Sequence, residues 1–183
     1  SYDHIEAITL DLNTNPLDAV ATNADDDIKV LGTGADSYWL SINAGPAIVV
    51  TESGALTIDG LHGDDAIDID VRALDLVSLT VKGNNPSVEG DTLTVEGVLG
   101  AADGATWRPG AFDGGILDVG AQTITVQTME RLIYDGDGEI ENLTVVLPAG
   151  VNQASFEYDA FAGVGMVQVK NVGLTASLQS LSG

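Results

Sequence analysis

Apolar and polar residues alternate in short segments along much of the chain. Such alternation is typical of β-strands that have one face in a core and one face in water. Helical periodicity is weak throughout, so the pattern predicts an all-β fold. The alternating segments are 8–12, 56–59, 67–71, 79–82, 93–96, 124–127 and 143–145.

The predicted strands recur at nearly regular intervals. Ile8, Ile28, Ile48 and Ile67 are separated by 20, 20 and 19 residues, and glycine-rich and aspartate-rich turns lie between the strands. A fixed period indicates stacked repeats, so the preferred interpretation is a right-handed parallel β-solenoid with coils of about 20 residues. An antiparallel β-sandwich, also built from short alternating strands, is the alternative.

Two parts of the chain resemble each other and suggest degenerate units within one repeat-built domain, 1–183. Each contains a tryptophan three or four residues after an aspartate, Trp39 after Asp36 and Trp107 after Asp103. A repeated aromatic residue more often packs in a core than forms an exposed carbohydrate platform, so both are predicted to be core residues. The predicted units are roughly 1–33, 34–100, 101–155 and 156–183.

Two glycine-rich segments resemble a known family of repeats. Residues 60–68, GLHGDDAID, and residues 31–39, LGTGADSYW, partly match the nonapeptide G-G-x-G-x-D-x-U-x of haemolysin-type (RTX) calcium-binding repeats. The phrases LIYDGDG at 132–138 and LTV at 143–145 resemble those of very long surface proteins of planctomycetes and similar bacteria. The resemblance implies a parallel β-roll or β-helix, a location outside a bacterial cell or on its surface, and calcium as the cofactor.

The metal-ligand candidates are aspartates in these turns, because calcium prefers oxygen ligands presented by a glycine-containing loop. A solvated turn in an acidic protein is the competing interpretation, and it also applies to Asp25, Asp26 and Asp27. RTX calcium sites need consecutive nonapeptides, whereas the motifs here are solitary. The candidates are Asp36, Asp64, Asp65, Asp68, Asp135 and Asp137.

Charge excludes several classes of partner. The chain has 28 Asp and Glu against 6 Lys and Arg, a formal net charge of −22, so binding to nucleic acid or to an anionic membrane surface is not expected. There is no cysteine, which excludes disulfides and thiolate metal sites. No apolar run reaches the roughly 18 residues that a membrane span needs, so membrane insertion is not expected either.

Catalytic motifs are lacking in the sequence. His4 and His62 are the only imidazoles, and no nucleophile elbow or histidine pair for zinc accompanies them. We therefore expect no enzyme but a structural building block of a surface layer, fibre or adhesin, which associates with itself or with neighbouring repeats. The alternatives are a calcium-dependent carbohydrate-binding adhesion module, whose sugar-binding residues the sequence does not identify, and a β-helix enzyme that degrades polysaccharides.

Overall fold

A computed structural model describes residues 8–85, 90–97, 105–110, 114–135 and 143–146, together with the backbones of three strands at 154–159, 164–169 and 175–179. The prediction of an all-β fold is confirmed. The described part of the chain contains strands and turns but no helix. A membrane-spanning helix is therefore also absent from these residues. All seven segments predicted from alternation overlap observed strands.

The described residues contain seventeen strands. In chain order they are β1 (Ile8–Asp11), β2 (Pro16–Val20), β3 (Asp27–Gly34), β4 (Ser37–Ile42), β5 (Ile48–Thr51), β6 (Ala55–Asp59), β7 (Ala66–Asp70), β8 (Ser78–Lys82), β9 (Thr92–Glu96), β10 (Ala105–Pro109), β11 (Gly115–Val119), β12 (Gln122–Gln127), β13 (Arg131–Asp135), β14 (Leu143–Val145), β15 (Ala154–Asp159), β16 (Val164–Val169) and β17 (Thr175–Gln179).

The strands form two mixed sheets. The first has ten strands in the order β1-β5-β4-β3-β7-β9-β13-β17-β16-β15, and the second has seven in the order β14-β10-β11-β12-β8-β6-β2. Five times a strand of the seven-stranded sheet is followed in the chain by a strand of the ten-stranded sheet. The last of these passages runs from β14 to β15, and the other four run from β2 to β3, β6 to β7, β8 to β9 and β12 to β13. In these four passages, the strands that leave the seven-stranded sheet pair in parallel with one another, in the order β2-β6-β8-β12. The strands that they lead to in the ten-stranded sheet also pair in parallel, in the order β3-β7-β9-β13.

Register within the parallel strands keeps apolar residues in continuous rows. In the ten-stranded sheet, Ile28 pairs with Ile67, Ile67 with Leu93 and Leu93 with Leu132. In the seven-stranded sheet the corresponding row is Leu17, Leu56, Leu79 and Ile124. Because side chains alternate between the two faces of a strand, this register places every second residue in the core.

The core is a single apolar cluster to which both sheets contribute. Its fully buried members include Ile28, Ile67 and Leu93 from one sheet and Leu56 and Leu79 from the other. Most of these side chains are aliphatic and branched, which suits the closely spaced pleats of a sheet. The buried core of the described residues therefore lies between the two sheets.

Antiparallel excursions interrupt the parallel rows. Strands β3, β4 and β5 form a meander in the ten-stranded sheet, and β10, β11 and β12 form one in the seven-stranded sheet. A β-bulge lies in β3 between Gly32 and Gly34. The excursions make the spacing of equivalent turns unequal: Asp26 and Asp65, with the β3–β5 meander between them, are 39 residues apart, whereas Asp65 and Asp91, with no meander between them, are 26 apart. Neither spacing equals the expected 20-residue period.

The two tryptophans occupy different environments. Trp107 in β10 is fully buried, as predicted, whereas Trp39 in β4 is 48% exposed. The prediction that both are core residues is therefore right for Trp107 and wrong for Trp39. The two residues also lie at different places in their meanders, since Trp39 is on the middle strand and Trp107 on the first.

Candidate functional site: an acidic ladder at the turns

Four acidic residues occupy equivalent positions in successive turns. Each lies directly before a strand of the ten-stranded sheet: Asp26 before β3, Asp65 before β7, Asp91 before β9 and Glu130 before β13. These strands are parallel and in register, so the residues that precede them are stacked at one edge of the sheet. We call Asp26, Asp65, Asp91 and Glu130 the acidic ladder.

Each step of the acidic ladder is made by a side chain and a backbone amide. The Asp26 N–H donates to Asp65 Oδ1 at 2.9 Å, the Asp65 N–H donates to Asp91 Oδ1 at 2.8 Å, and the Asp91 N–H donates to Glu130 Oε2 at 2.8 Å. A hydrogen bond to a charged acceptor is stronger than a neutral one, so these contacts link each turn to the next.

Backbone hydrogen bonds run beside the carboxylates in the opposite direction. The amides of Ala66, Thr92 and Arg131 donate to the carbonyl oxygens of Asp26, Asp65 and Asp91 at 2.9, 2.8 and 3.0 Å. Asp26, Asp65 and Asp91 are therefore each hydrogen-bonded to the following turn through both the backbone amide and the backbone carbonyl. The ladder thus extends the pairing of the sheet by one residue beyond the ends of the strands.

A second, more exposed contact series accompanies the ladder. The Asp64 N–H donates to Asp25 Oδ1 at 3.0 Å, and the Gly90 N–H donates to Asp64 Oδ1 at 3.1 Å. Here the carboxylate belongs to the earlier turn and the amide to the later one. Asp25 is exposed and Asp64 half-buried, so water reaches this series more easily than it reaches the acidic ladder.

The first member of the ladder is fully supplied with hydrogen-bond donors. Asp26 Oδ2 accepts from the amide and the hydroxyl of Thr22, both at 2.8 Å, and Oδ1 accepts from Asn43 Nδ2 at 2.6 Å. Burial by itself would raise the pKa of Asp26, but these bonds outweigh it and hold the pKa below its ordinary value. Asp26 is therefore a stable carboxylate in the folded protein.

The two middle members carry buried oxygens without partners. Asp65 and Asp91 are 1% and 0% exposed, and the Oδ2 atom of each has no hydrogen-bond partner among the described residues. Burial, assisted by the charges of Asp91, Asp26 and Asp25, raises the pKa of Asp65 to about 6, although the hydrogen bond from the Asp26 amide acts to lower it. Burial also raises the pKa of Asp91, assisted by the charges of Glu130 and Asp64.

Glycines make room for these two oxygens. Gly60 and Gly83 directly follow β6 and β8, and a Cβ atom on either would overlap the Oδ2 atom of Asp65 or Asp91, respectively. In the first turn the equivalent residue is Ala21, and the carboxylate there binds Thr22 instead. All three carboxylates are buried, but those in the turns with glycine each have one oxygen without a hydrogen-bond partner among the described residues, whereas both oxygens of Asp26 in the turn with alanine are hydrogen-bonded.

The structure separates the metal-ligand candidates. Asp64 and Asp65 lie at the edge where the parallel strands begin, whereas Asp36 follows β3 and Asp135 ends β13, which places both at the opposite edge. Asp36 is exposed, and Asp68 points outward from β7, 3.7 Å from Lys29 Nζ. The side chain of Asp135 and the whole of Asp137 lie outside the described residues.

No group of three or more His, Cys, Asp or Glu side chains among the described residues is placed to hold a metal ion. The two partnerless oxygens each face a glycine of their own turn rather than a common point. The acidic ladder therefore acts, as it stands, as a set of hydrogen-bond acceptors that joins turns, and calcium remains a prediction from the sequence.

Sequence reasoning missed Asp91 and Glu130 and gave Asp26 no special weight. The usable signal was limited to Asp91, which, like Asp65, stands two residues before an alternating segment; no predicted segment directly follows Glu130. Comparison with known proteins adds no further assignment: no family model, no curated protein and no solved structure matches the chain.

Proposed function

We propose that this chain is a non-catalytic structural building block of a repeat-built extracellular bacterial protein, such as a surface layer, fibre or adhesin. The observation that carries the proposal is the acidic ladder, in which equivalent residues of four successive turns join one another. Equivalent contacts repeated along an axis are typical of chains in which each unit is stabilised by its neighbours.

The architecture that goes with this proposal is a right-handed parallel β-solenoid with antiparallel excursions. Its support is the parallel pairing between four successive passages from the seven-stranded to the ten-stranded sheet, those that begin at β2, β6, β8 and β12. Right-handed connections are strongly preferred between parallel strands, which gives the handedness. The RTX-like repeats provide a sequence precedent for coils of this kind.

Self-association or contact with neighbouring repeats is the proposed mode of assembly. Strands β1 and β2 end the strand order of their sheets, and each pairs with a single strand among those described. The outer edge of such a strand presents amide and carbonyl groups to a further strand. Val20 in β2 is 54% exposed and would lie at such a contact.

Sedimentation velocity at increasing protein concentration tests the proposal. We expect the wild-type chain to form oligomers that grow with concentration, and Val20→Lys to shift the distribution toward monomer. Ile116→Lys is the matched control, because it adds the same charge on β11, an internal strand with partners on both sides. A wild-type chain that stays monomeric at millimolar concentration, or equal effects of the two variants, would contradict assembly through β2.

A further inference from the structure

An exposed apolar strip lies on the outer face of the ten-stranded sheet. Val49, Trp39 and Leu31 are directly opposite one another on β5, β4 and β3. Trp39 is 48% and Leu31 42% exposed, and Val49 is half-buried. We call these three residues the outer strip. Its indole lies on a sheet rather than on a loop, so its position is fixed by pairing on both sides.

The row continues into a polar group on the neighbouring strands. Leu31 pairs with Asp70 on β7, and Asp70 pairs with Glu96 on β9. Arg72 bridges these two carboxylates: Nε donates to Asp70 Oδ1 at 2.9 Å, and an Nη2 hydrogen bond reaches Glu96 Oε2 at 3.3 Å. One straight row across five strands therefore changes from apolar to hydrogen-bonding.

Local charge on this face is more balanced than in the chain as a whole. Lys29 lies one pleat period from Leu31 on the same face, with Asp27 at 3.5 Å and Asp68 at 3.7 Å. Lys29 and Arg72 are two of the six basic residues in a chain with net charge −22. Donors and acceptors thus alternate beside the outer strip, while the overall charge opposes the approach of an anion.

We propose that the outer strip, together with Arg72 and Glu96, binds an uncharged polysaccharide. The aliphatic face of a sugar ring packs on the indole of Trp39 and on Leu31, because flat amphipathic rings bury apolar surface while their polar edges stay wet. The sugar hydroxyls, which both donate and accept, meet the guanidinium of Arg72 and the carboxylate of Glu96, whose side chains are 38% and 46% exposed. The buried carboxylate of Asp70 holds Arg72 in place. A neutral ligand of this kind satisfies both ends of the row without charge repulsion.

The direction of the ligand follows from the geometry of the sheet. Neighbouring strands are about 4.8 Å apart, so successive positions of the row are spaced closely enough for consecutive units of one glycan chain. A chain lying across the strands would place one unit on the outer strip and a following unit at Arg72 and Glu96. This goes beyond the structural role proposed above, since it gives the assembled protein a ligand.

Isothermal titration with neutral hexasaccharides tests the site. The probes are cellohexaose, N-acetylchitohexaose and mannohexaose, with an oligogalacturonate of equal length as the anionic comparator. We expect at least one neutral probe to bind, a loss of affinity of about tenfold or more in Trp39→Ala, and a smaller loss in Trp39→Phe. Ile116→Ala, an exposed apolar residue on the other sheet, is the control and keeps wild-type affinity.

Tryptophan fluorescence gives an independent readout. The chain has two tryptophans, and Trp107 is fully buried, so a change in emission on sugar addition reports Trp39. Absence of binding by all three neutral probes, binding of the anionic probe alone, or unchanged affinity in Trp39→Ala would overturn the proposal. So would a loss of self-association in Trp39→Ala without any sugar binding, because a second copy of the chain would then be the occupant.

Discussion

The packing of a carboxylate against a glycine is the feature on which the turns depend most at the level of single residues. A Cβ atom on Gly83 would overlap both Asp91 Oδ2 and the backbone carbonyl oxygen of Thr128. The carboxylate could rotate away, but the carbonyl belongs to the next turn and cannot move without disturbing its pairing. Gly83 is therefore required by the space available rather than by its backbone angles.

Gly83→Ala is expected to destabilise the protein by about 2 kcal/mol or more, measured as the free energy of unfolding in urea. The control is Gly34→Ala, because a Cβ atom there would be 3.6 Å from its nearest neighbour, Ser37 Cβ. We expect that variant to stay within about 0.5 kcal/mol of the wild type. Similar losses in the two variants would show that the packing at Gly83 is not special.

The buried carboxylates predict a distinctive pH dependence. The pKa of Asp65 is about 6 in the folded state against an ordinary value of 3.8, so the folded protein binds this proton more tightly than the unfolded chain does. The resulting stability is fully present below pH 3.8 and is lost as the pH rises through 6. Asp91 acts in the same direction, and the lowered pKa values of Asp26 and Asp70 act in the opposite direction at lower pH.

We therefore expect the melting temperature to rise by a few degrees when the pH falls from 7.5 to 5, as measured by circular dichroism. Asp65→Asn should reduce this rise, because it removes the charge while keeping an acceptor for the Asp26 amide. Asp68→Asn, which changes an outward carboxylate of β7, the strand that follows Asp65, should leave the rise in melting temperature unchanged. A melting temperature that falls steadily over this pH range in the wild type would contradict the buried charge.

Single-residue chemistry could be predicted from sequence only in part. Asp64 and Asp65 stand out because they follow glycines, whereas Asp91 and Glu130 join them only through the register of parallel strands. Trp39 and Trp107 have similar local sequences, yet one is exposed and the other buried. Local sequence does not contain the information that decides this, because burial depends on which face of which sheet the strand presents.

At the level of elements, each strand's position in the sheet order determines how well its backbone amides are protected from hydrogen exchange. Strand β8 lies between β6 and β12, and β9 lies between β7 and β13, so both have partners on two sides. Strand β2 ends the order of the seven-stranded sheet and is paired only with β6 among the described strands. The backbone amides of a doubly paired strand open only when the sheet itself opens.

Hydrogen exchange followed by mass spectrometry should therefore show slow exchange for peptides covering β8 and β9 and faster exchange for the peptide covering β2. We expect the difference in protection to be about tenfold or more at low protein concentration, where self-association through β2 is suppressed. The peptide covering β12, also doubly paired, serves as the internal reference. Equal protection of β2 and β8 at high dilution would contradict the strand order.

The elements themselves were largely predictable, and their connections were not. Alternation identifies strands such as β7 and β9 because it reports a half-buried surface. The spacing of Ile8, Ile28, Ile48 and Ile67 suggested stacked neighbours, but the pairs are Ile8 with Ile48 and Ile28 with Ile67. The meander of β3, β4 and β5 separates them, and a period in sequence cannot show whether a segment pairs in parallel or folds back.

For the whole molecule, electrostatic repulsion is the main force that the fold leaves unbalanced. A net charge of −22 on 183 residues repels itself in the folded state, and stacking the turns brings Asp64, Asp65 and Asp91 together. Salt screens such repulsion, whereas a bound divalent cation would offset it at one place. The two effects differ in the concentration that they require, which allows them to be separated.

Differential scanning calorimetry in sodium chloride and in calcium chloride, compared at matched ionic strength, separates screening from specific binding. Sodium chloride is expected to raise the melting temperature gradually through screening. If the turns bind calcium, as the sequence resemblance predicts, millimolar calcium chloride adds several degrees beyond an ionic-strength-matched sodium chloride sample, and EDTA reverses the increase. Asp64→Asn should reduce the calcium increment, and Asp75→Asn, an exposed carboxylate just beyond the opposite end of β7, should not. Equal increments in matched calcium and sodium would contradict specific binding and would leave screening as the sole effect of added ions on this acidic chain.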